Sequence, residues 1–270
     1  MPDSNRTLHI AATFPNISQA DSLYLGKGSG KRRAREVGCI MIELRKVSKT
    51  YLLDRQEVKA LRDVSLRIFK GEFACVVGPS GSGKSTLLHL VGCLETPTSG
   101  EVLFDGSAIN SWPDRELSLL RRDKIGFVFQ FFNLLPTLSA EENIALPYLI
   151  AGGRLGDVRD KVNRLLEMVG LSGRGRHKPN QLSGGELQRI AIGRAMINDP
   201  VVVIADEPTG NLDSANGAII LSLLKKISSS GTSCVLVATH DRPLAAAADR
   251  VIALKDGQLE FTAGNQGGSS

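Results

Sequence analysis

Nine consecutive residues, Gly78-Pro79-Ser80-Gly81-Ser82-Gly83-Lys84-Ser85-Thr86, constrain this chain more than any other stretch. They fit G-x-x-x-x-G-K-[ST], a pattern with a physical purpose. The glycines let successive backbone N–H groups curl round phosphate oxygens with no Cβ in the way. Lys84 reaches the β- and γ-phosphates of a nucleotide, and Ser85 offers a hydroxyl to Mg²⁺. The apolar run Glu72–Val77 predicts a buried strand entering the loop, and 85–91 predicts a helix leaving it. The positive end of that helix then faces the phosphates. A strand, a loop and a helix in that order demand an α/β core.

The bulk composition agrees with such a core. A chain of 270 residues with 42% hydrophobic content suits one large α/β domain, or a domain with a smaller lobe. The net charge of +5 is concentrated near the start, where residues 1–40 carry six basic and three acidic side chains. A charge that local does not point to nucleic acid. The four cysteines (Cys39, Cys75, Cys93 and Cys234) form no C-x-x-C pair, so a zinc site is not expected and a reducing compartment is. No window holds the roughly 18 uninterrupted apolar residues of a membrane span. A membrane function would need other chains to cross.

Residues 1–40 differ in character from the rest of the chain. Lys27-Gly28-Ser29-Gly30-Lys31-Arg32-Arg33 is basic and rich in Gly and Ser, and cannot bury much. It is expected to be disordered, with Met41 as a candidate true start. The organised domain is expected over 41–262, with a helical subdomain at about 131–198 and a flexible tail at 263–270. Val64, Leu66 and Ile68 alternate with Ser65 and Arg67 as in a strand. Asp105-Gly106 and Asp256-Gly257 predict tight turns. Buried strands are expected over 125–129, 201–205 and 234–239, and a helix over about 214–228. Ser139 with Glu142 fits a helix-capping box, and Val158, Val162, Leu165, Leu166 and Val169 follow helical spacing.

Further candidates for nucleotide chemistry lie downstream. Leu182-Ser183-Gly184-Gly185-Glu186 combines a second capping box with two glycines, so a helix presents its N-terminus there with two glycines and a serine hydroxyl, an anion site in outline. Leu187, Ile190, Ala191, Ala195 and Met196 then mark one apolar face. The strand Val201–Ala205 ends in Asp206 and Glu207. Asp206 suits Mg²⁺ through its water shell, and Glu207, aimed elsewhere, suits a general base for the attacking water. Gln130, after the strand 125–129, suits Mg²⁺ or the water. His240, closing 234–239, suits the γ-phosphate or orientation of the water. Tyr51 is an aromatic face for the adenine.

Taken in order, Tyr51, the 78–86 loop, Gln130, LSGGE at 182–186, Asp206-Glu207, Asn211-Leu212-Asp213 and His240 resemble the ATP-binding subunit of ABC transporters over about residues 41–260. That resemblance implies a P-loop core with an N-terminal antiparallel β subdomain and a helical signature subdomain. It implies ATP and Mg²⁺ as ligands and a contact from Thr86 to phosphate. It implies a second copy of the chain whose Ser183 and Gly185, with Gly184 between them, bind the γ-phosphate held by the first. Asp213 then lies at the dimer seam. Two ATP molecules sandwiched between head-to-tail copies hold such a dimer shut.

Gly126-Phe127-Val128-Phe129-Gln130, Phe132-Asn133-Leu134-Leu135-Pro136 and Glu207–Asp213 look like one subgroup, the lipoprotein-releasing and macrolide-exporter ATPases. Leu187 stands where many members have Gln. By that likeness the chain is an ATPase at the cytoplasmic face of the membrane, driving export or extraction through separate permease subunits. The alternative is the cell-division relative, which regulates envelope proteins without transport. A DNA-associated relative would carry a long coiled coil or zinc modules between the loop and LSGGE, and no heptads occur here. Phe131, Phe132, Leu134, Leu135, Pro147 and Tyr148 are either a groove for a membrane subunit's helix or core of the helical lobe. The cargo is not written in these residues.

Overall fold

The computed structural model describes residues 39–53 and 56–260. The expectations for 1–38 and for 263–270 lie outside the described residues. Two long strands come first, β1 (Ile40–Leu53) and β2 (Gln56–Phe69), paired antiparallel with Leu44 opposite Leu66 and Tyr51 opposite Val58. Next come β3 (Phe73–Val77), α1 (Lys84–Val91), β4 (Ser99–Phe104) and β5 (Ser107–Ala108). The chain continues through α2 (Asp114–Lys124), β6 (Ile125–Val128), α3 (Ala140–Ile150), α4 (Leu155–Met168) and α5 (Gly184–Met196). It closes with β7 (Val202–Asp206), α6 (Ser214–Ser229), β8 (Cys234–Ala238), α7 (Arg242–Ala247), β9 (Arg250–Lys255) and β10 (Gln258–Glu260).

The strands form two sheets. One is antiparallel, in the order β2-β1-β4-β5. The other runs β10-β9-β3-β8-β7-β6, with β9, β3, β8, β7 and β6 parallel and β10 antiparallel at the edge. Strands with helices or sheet on both faces read as continuous apolar runs, and β3, β7 and β8 do. Their side chains divide by the two-residue period of a strand. Ala74, Val76, Val202, Ile204, Cys234 and Leu236 face the antiparallel sheet and α1. Phe73, Cys75, Val203, Ala205, Val235 and Val237 face the helices α3 to α7. Each run of five residues thus supplies two cores at once.

The turns follow their residues. Asp105-Gly106 and Asp256-Gly257 all have positive φ (47, 77, 49 and 76°), as a two-residue hairpin requires. Both expected capping boxes form: Ser139 Oγ accepts from the Glu142 amide at 3.3 Å, and the Glu142 carboxylate accepts from the Ser139 amide at 2.7 Å. One reading needs correction. The face expected of α5 is too narrow: Gln188, Ile192 and Gly193 are also buried, because α5 packs on α3, α4 and β6 together. The helix α2, for which the sequence offered no reading, forms with only Leu117 buried.

Burial pushes the thiols of Cys75, Cys93 and Cys234 up to about 12, while Cys39 is exposed. A neutral, enclosed thiol does not attack. Among these four, native protein is therefore expected to take up one equivalent of a maleimide, at Cys39, and all four after unfolding. Intact-mass measurement checks this, and rapid native labelling of Cys75 or Cys234 would contradict the parallel-sheet core.

Candidate active site

The phosphate loop hangs between β3 and α1. Gly83 caps α1 with φ 102°, a conformation that L side chains rarely adopt, and a Cβ there would overlap the Ala60 carbonyl of β2. The loop is pinned from outside as well: the Gly257 amide donates to the Ser82 carbonyl at 3.1 Å, and the Gly257 carbonyl accepts from Arg62 at 2.8 Å. Lys84 Nζ donates to the carbonyls of Gly78 and Pro79 at 2.9 Å each. The Ser82 hydroxyl is 3% exposed in its residue and has no hydrogen-bond partner, which is the situation a phosphate oxygen relieves.

Four neighbouring parallel strands, in the order β3-β8-β7-β6, end on the same edge of the sheet. Their C-terminal ends carry the loop Gly78–Gly83, Thr239 and His240, Asp206 and Glu207, and Gln130 respectively. Open α/β sheets bind ligands along that edge. Asp206 closes β7, in register with Ala238. Glu207 comes next with φ 45°, in the left-handed region, a strain of about 1–3 kcal/mol for a non-glycine residue. Several contacts hold it there. Its amide donates to the Ala238 carbonyl at 2.9 Å, and its carboxylate accepts from Thr239 Oγ1 at 3.3 Å and from the His240 amide at 3.4 Å.

His240 Nδ1 lies 3.0 Å from the same Glu207 oxygen. The hydrogen bond and the charge of Glu207 raise the imidazole above its usual value, although the ring is 74% exposed. Thr239 and Asp241 were not legible as site residues. Thr239 Oγ1 accepts from the Asp241 amide at 3.0 Å, and the Asp241 carboxylate accepts from Thr209 at 2.9 Å, so the segment after β8 is tied to the turn after Glu207. The only hint in the sequence was polarity flanking His240.

Gln130 opens a segment in which Phe132 and Asn133 both have positive φ (58 and 49°). Polar side chains of α5 hold this segment. Gln188 donates to the Phe129 carbonyl at 3.4 Å, and Arg194 donates to the carbonyls of Phe132, at 2.8 Å, and of Asn133. Asn211 donates to the Gln130 carbonyl at 3.1 Å. Gln188 and Arg194 interrupt an apolar helix, which was the available signal for them.

Ser183 starts α5 as expected. Its hydroxyl accepts from the Glu186 amide at 3.3 Å and lies 2.9 Å from the Glu186 carboxylate. The bond from the Ser183 amide holds the Glu186 carboxyl below its ordinary value. Asp213 caps α6, accepting from the backbone and side-chain amides of Asn216 at 2.8 and 2.9 Å. These bonds hold the Asp213 carboxyl low too. The neighbours of the two signature glycines are Phe132 and Leu212 for Gly184, and Asn216 for Gly185.

Tyr51 is half-buried, not an open exposed ring. Its hydroxyl donates to Glu95 at 2.6 Å, and Lys49 Nζ sits 5.0 Å from the ring centroid. Glu95 also meets Lys49 at 3.1 Å and His89 at 3.4 Å, so the ring is braced against the chain just beyond α1.

A P-loop fold with an acidic pair at the next strand end but one, and a second capped glycine helix, defines a nucleoside triphosphatase. Comparison with known proteins takes this further. The family profile described as ABC transporter matches residues 61–210. The ABC transporter ATP-binding protein MJ0796 of Methanocaldococcus jannaschii is 50% identical over 224 residues, covering 82% of this chain and 95% of that protein. The dimeric structure of the MJ0796 cassette bound to ADP and Pi superposes with a TM-score of 0.77 at 46% identity, covering 84% of this chain and all of that one. The macrolide export ATP-binding/permease protein MacB of Hyphomonas neptunium is 46% identical over 84% of this chain, which spans 35% of that longer protein. The chain belongs to the ABC transporter ATP-binding family and is an ATPase of that family.

Proposed function

We propose that this chain powers export or extraction of a substrate through separate permease subunits, working as a pair of copies that close on ATP and Mg²⁺. The observation that carries the catalytic part is the placement of Glu207. It sits strained at the sheet edge beside the phosphate loop, held by Thr239 and His240. The export part is supported by relatives named as macrolide and pyoverdine export ATP-binding/permease proteins. The same reading puts the chain at the cytoplasmic face of the membrane as a peripheral subunit. No helix among the described residues is long and apolar enough to cross a membrane.

In this reading the amides of Gly78 to Thr86 cradle the triphosphate, with Tyr51 against the adenine. Lys84 exchanges two neutral loop carbonyls for charged phosphate oxygens, which bind an ammonium more strongly. Ser85, Gln130 and Asp206 present the oxygen donors that would hold Mg²⁺, which when bound would supply positive charge against the phosphates. Glu207 takes a proton from the attacking water, and His240 orients water or γ-phosphate. The outer face of the γ-phosphate is covered by Ser183, Gly184 and Gly185 of the second copy, whose helix N-terminus supplies amides and a dipole while excluding water. Asp213 then lies at the seam between the copies. Tight binding to the closed pair alone is what lets ATP shift the equilibrium toward it.

The permease surface in this reading is the exposed pair Phe131 and Leu135 together with a groove of about 420 Å³ whose lining includes their sequence neighbours Phe129 and Asn133, with Leu94, Phe127, Pro147, Arg121 and Arg122. Leu134 and Tyr148 pack against the helical core, whereas Phe131 and Leu135 are 74% and 45% exposed. The two sequence readings of this apolar run therefore divide residue by residue. Capture of a transmembrane protein from detergent-solubilised native membranes tests the partner. Phe131→Ala is expected to weaken that capture about tenfold or more while leaving stability within roughly 0.5 kcal/mol, as exposed substitutions do. Equal capture by the variant would move the docking surface elsewhere.

A further inference from the structure

We propose that Asn216 is a positioning residue that locks the Asp213 turn to the LSGGE helix of the same chain, so that both meet the opposite copy's nucleotide as one piece. The inference rests on the two-copy reading above and concerns a residue to which that reading gives no task.

The side-chain amide of Asn216 is used at both ends. Nδ2 donates to Asp213 Oδ2 at 2.9 Å, and Oδ1 accepts from Arg189 Nη1, on α5, at 3.3 Å. Its backbone amide donates to Asp213 Oδ1 at 2.8 Å, so the acid is gripped by both nitrogens of one residue. The same side chain packs against Gly185: a Cβ added there would overlap Asn216 Oδ1 and Cγ. Gly185 is buried. Keeping Asn216 in this bonded position therefore requires a glycine at 185, apart from any contact with phosphate. Only a residue with no side chain lets α5 approach α6 closely enough for the Asn216–Arg189 bond.

The consequence is mechanical. Asp213 and Ser183 sit on separate helices, α6 and α5, that are joined in sequence only through β7. Asn216 spans them directly. A displacement of the Asp213 turn by the partner copy is thereby passed to the helix that covers the partner's γ-phosphate, and back again. An aspartate at 216 keeps the acceptor for Arg189 but sets a carboxylate against Asp213. A leucine keeps the volume beside Gly185 and removes both bonds.

The test uses the full chain carrying Glu207→Gln, so that ATP is retained, with dimer formation followed by sedimentation velocity. Asn216→Leu and Asn216→Asp are each expected to raise the dimer dissociation constant about tenfold, within the usual range of coupling between sites. Affinity of the monomer for ATP stays within about twofold, since Asn216 lies off the phosphate loop. Gly185→Ala also weakens the dimer, and the double variant Gly185→Ala/Asn216→Ala is no worse than the poorer single variant, because overlap and bridge vanish together. Parental dimerisation by the Asn216 variants, loss of monomer affinity, or additive losses in the double variant would each overturn the inference. If the Glu207→Gln parent itself stays monomeric in ATP, the two-copy reading falls and takes the coupling role with it. The Gly185–Asn216 packing is then still read from thermal unfolding, where less-than-additive shifts uphold the contact and additive shifts refute it.

Discussion

Glu207→Gln is expected to bind ATP with near-normal affinity, to turn it over roughly 10²–10⁴-fold more slowly, and to accumulate as an ATP-bound dimer. The rate loss is the contribution of a positioned general base. The substitution leaves the amide that donates to Ala238 and the left-handed backbone in place, so the strand end keeps its shape. Glutamine still presents an oxygen to Thr239, but its neutral amide no longer draws a proton from water. Single-turnover measurement of phosphate release, alongside light scattering for mass, separates chemistry from assembly. Near-normal turnover would remove Glu207 from the role of base and pass it to another group at the same edge.

Lys84→Ala is expected to lose about 10²–10³-fold in kcat/KM, with weaker nucleotide binding and no ATP-driven dimer. The figure is that for deleting one preorganised donor to a developing oxyanion. Here a full charge disappears from a loop whose other donors are neutral amides and hydroxyls. The loop itself should survive, because its anchors lie elsewhere: Gly83 against Ala60, and Gly257 against Ser82. A thermal midpoint close to that of the parent would confirm that chemistry, and not folding, was lost. Unchanged ATPase activity would contradict the assignment of 78–86 to phosphate.

Much of this organisation could be read before any coordinates. The apolar runs 73–77, 202–206 and 234–238 have the composition of strands buried on two faces, and the two capping boxes mark helix starts by local hydrogen bonding alone. What could not be read is contact between distant residues. Nothing near Gly185 reveals that Asn216 fills the space beside it, or near Gly83 that Ala60 does. The encirclement of α5 hid Ile192 and Gln188, since a helix buried on several sides shows no single apolar stripe. α2 escaped because one buried leucine leaves no period. Tyr51 was placed by its order in the chain. Its brace at Glu95 joins residues 44 positions apart, a separation that local pattern does not cover.

The Ala60 carbonyl has Gly83 on one side and Gly257 on another, each close enough to forbid a side chain. Three stretches from opposite ends of the domain are thus spliced at one oxygen. An arriving nucleotide consequently finds the loop's side of its socket already cast. In the two-copy arrangement proposed above, whatever adjusts during the working cycle would fall to the other half, lent by a neighbour and free to depart.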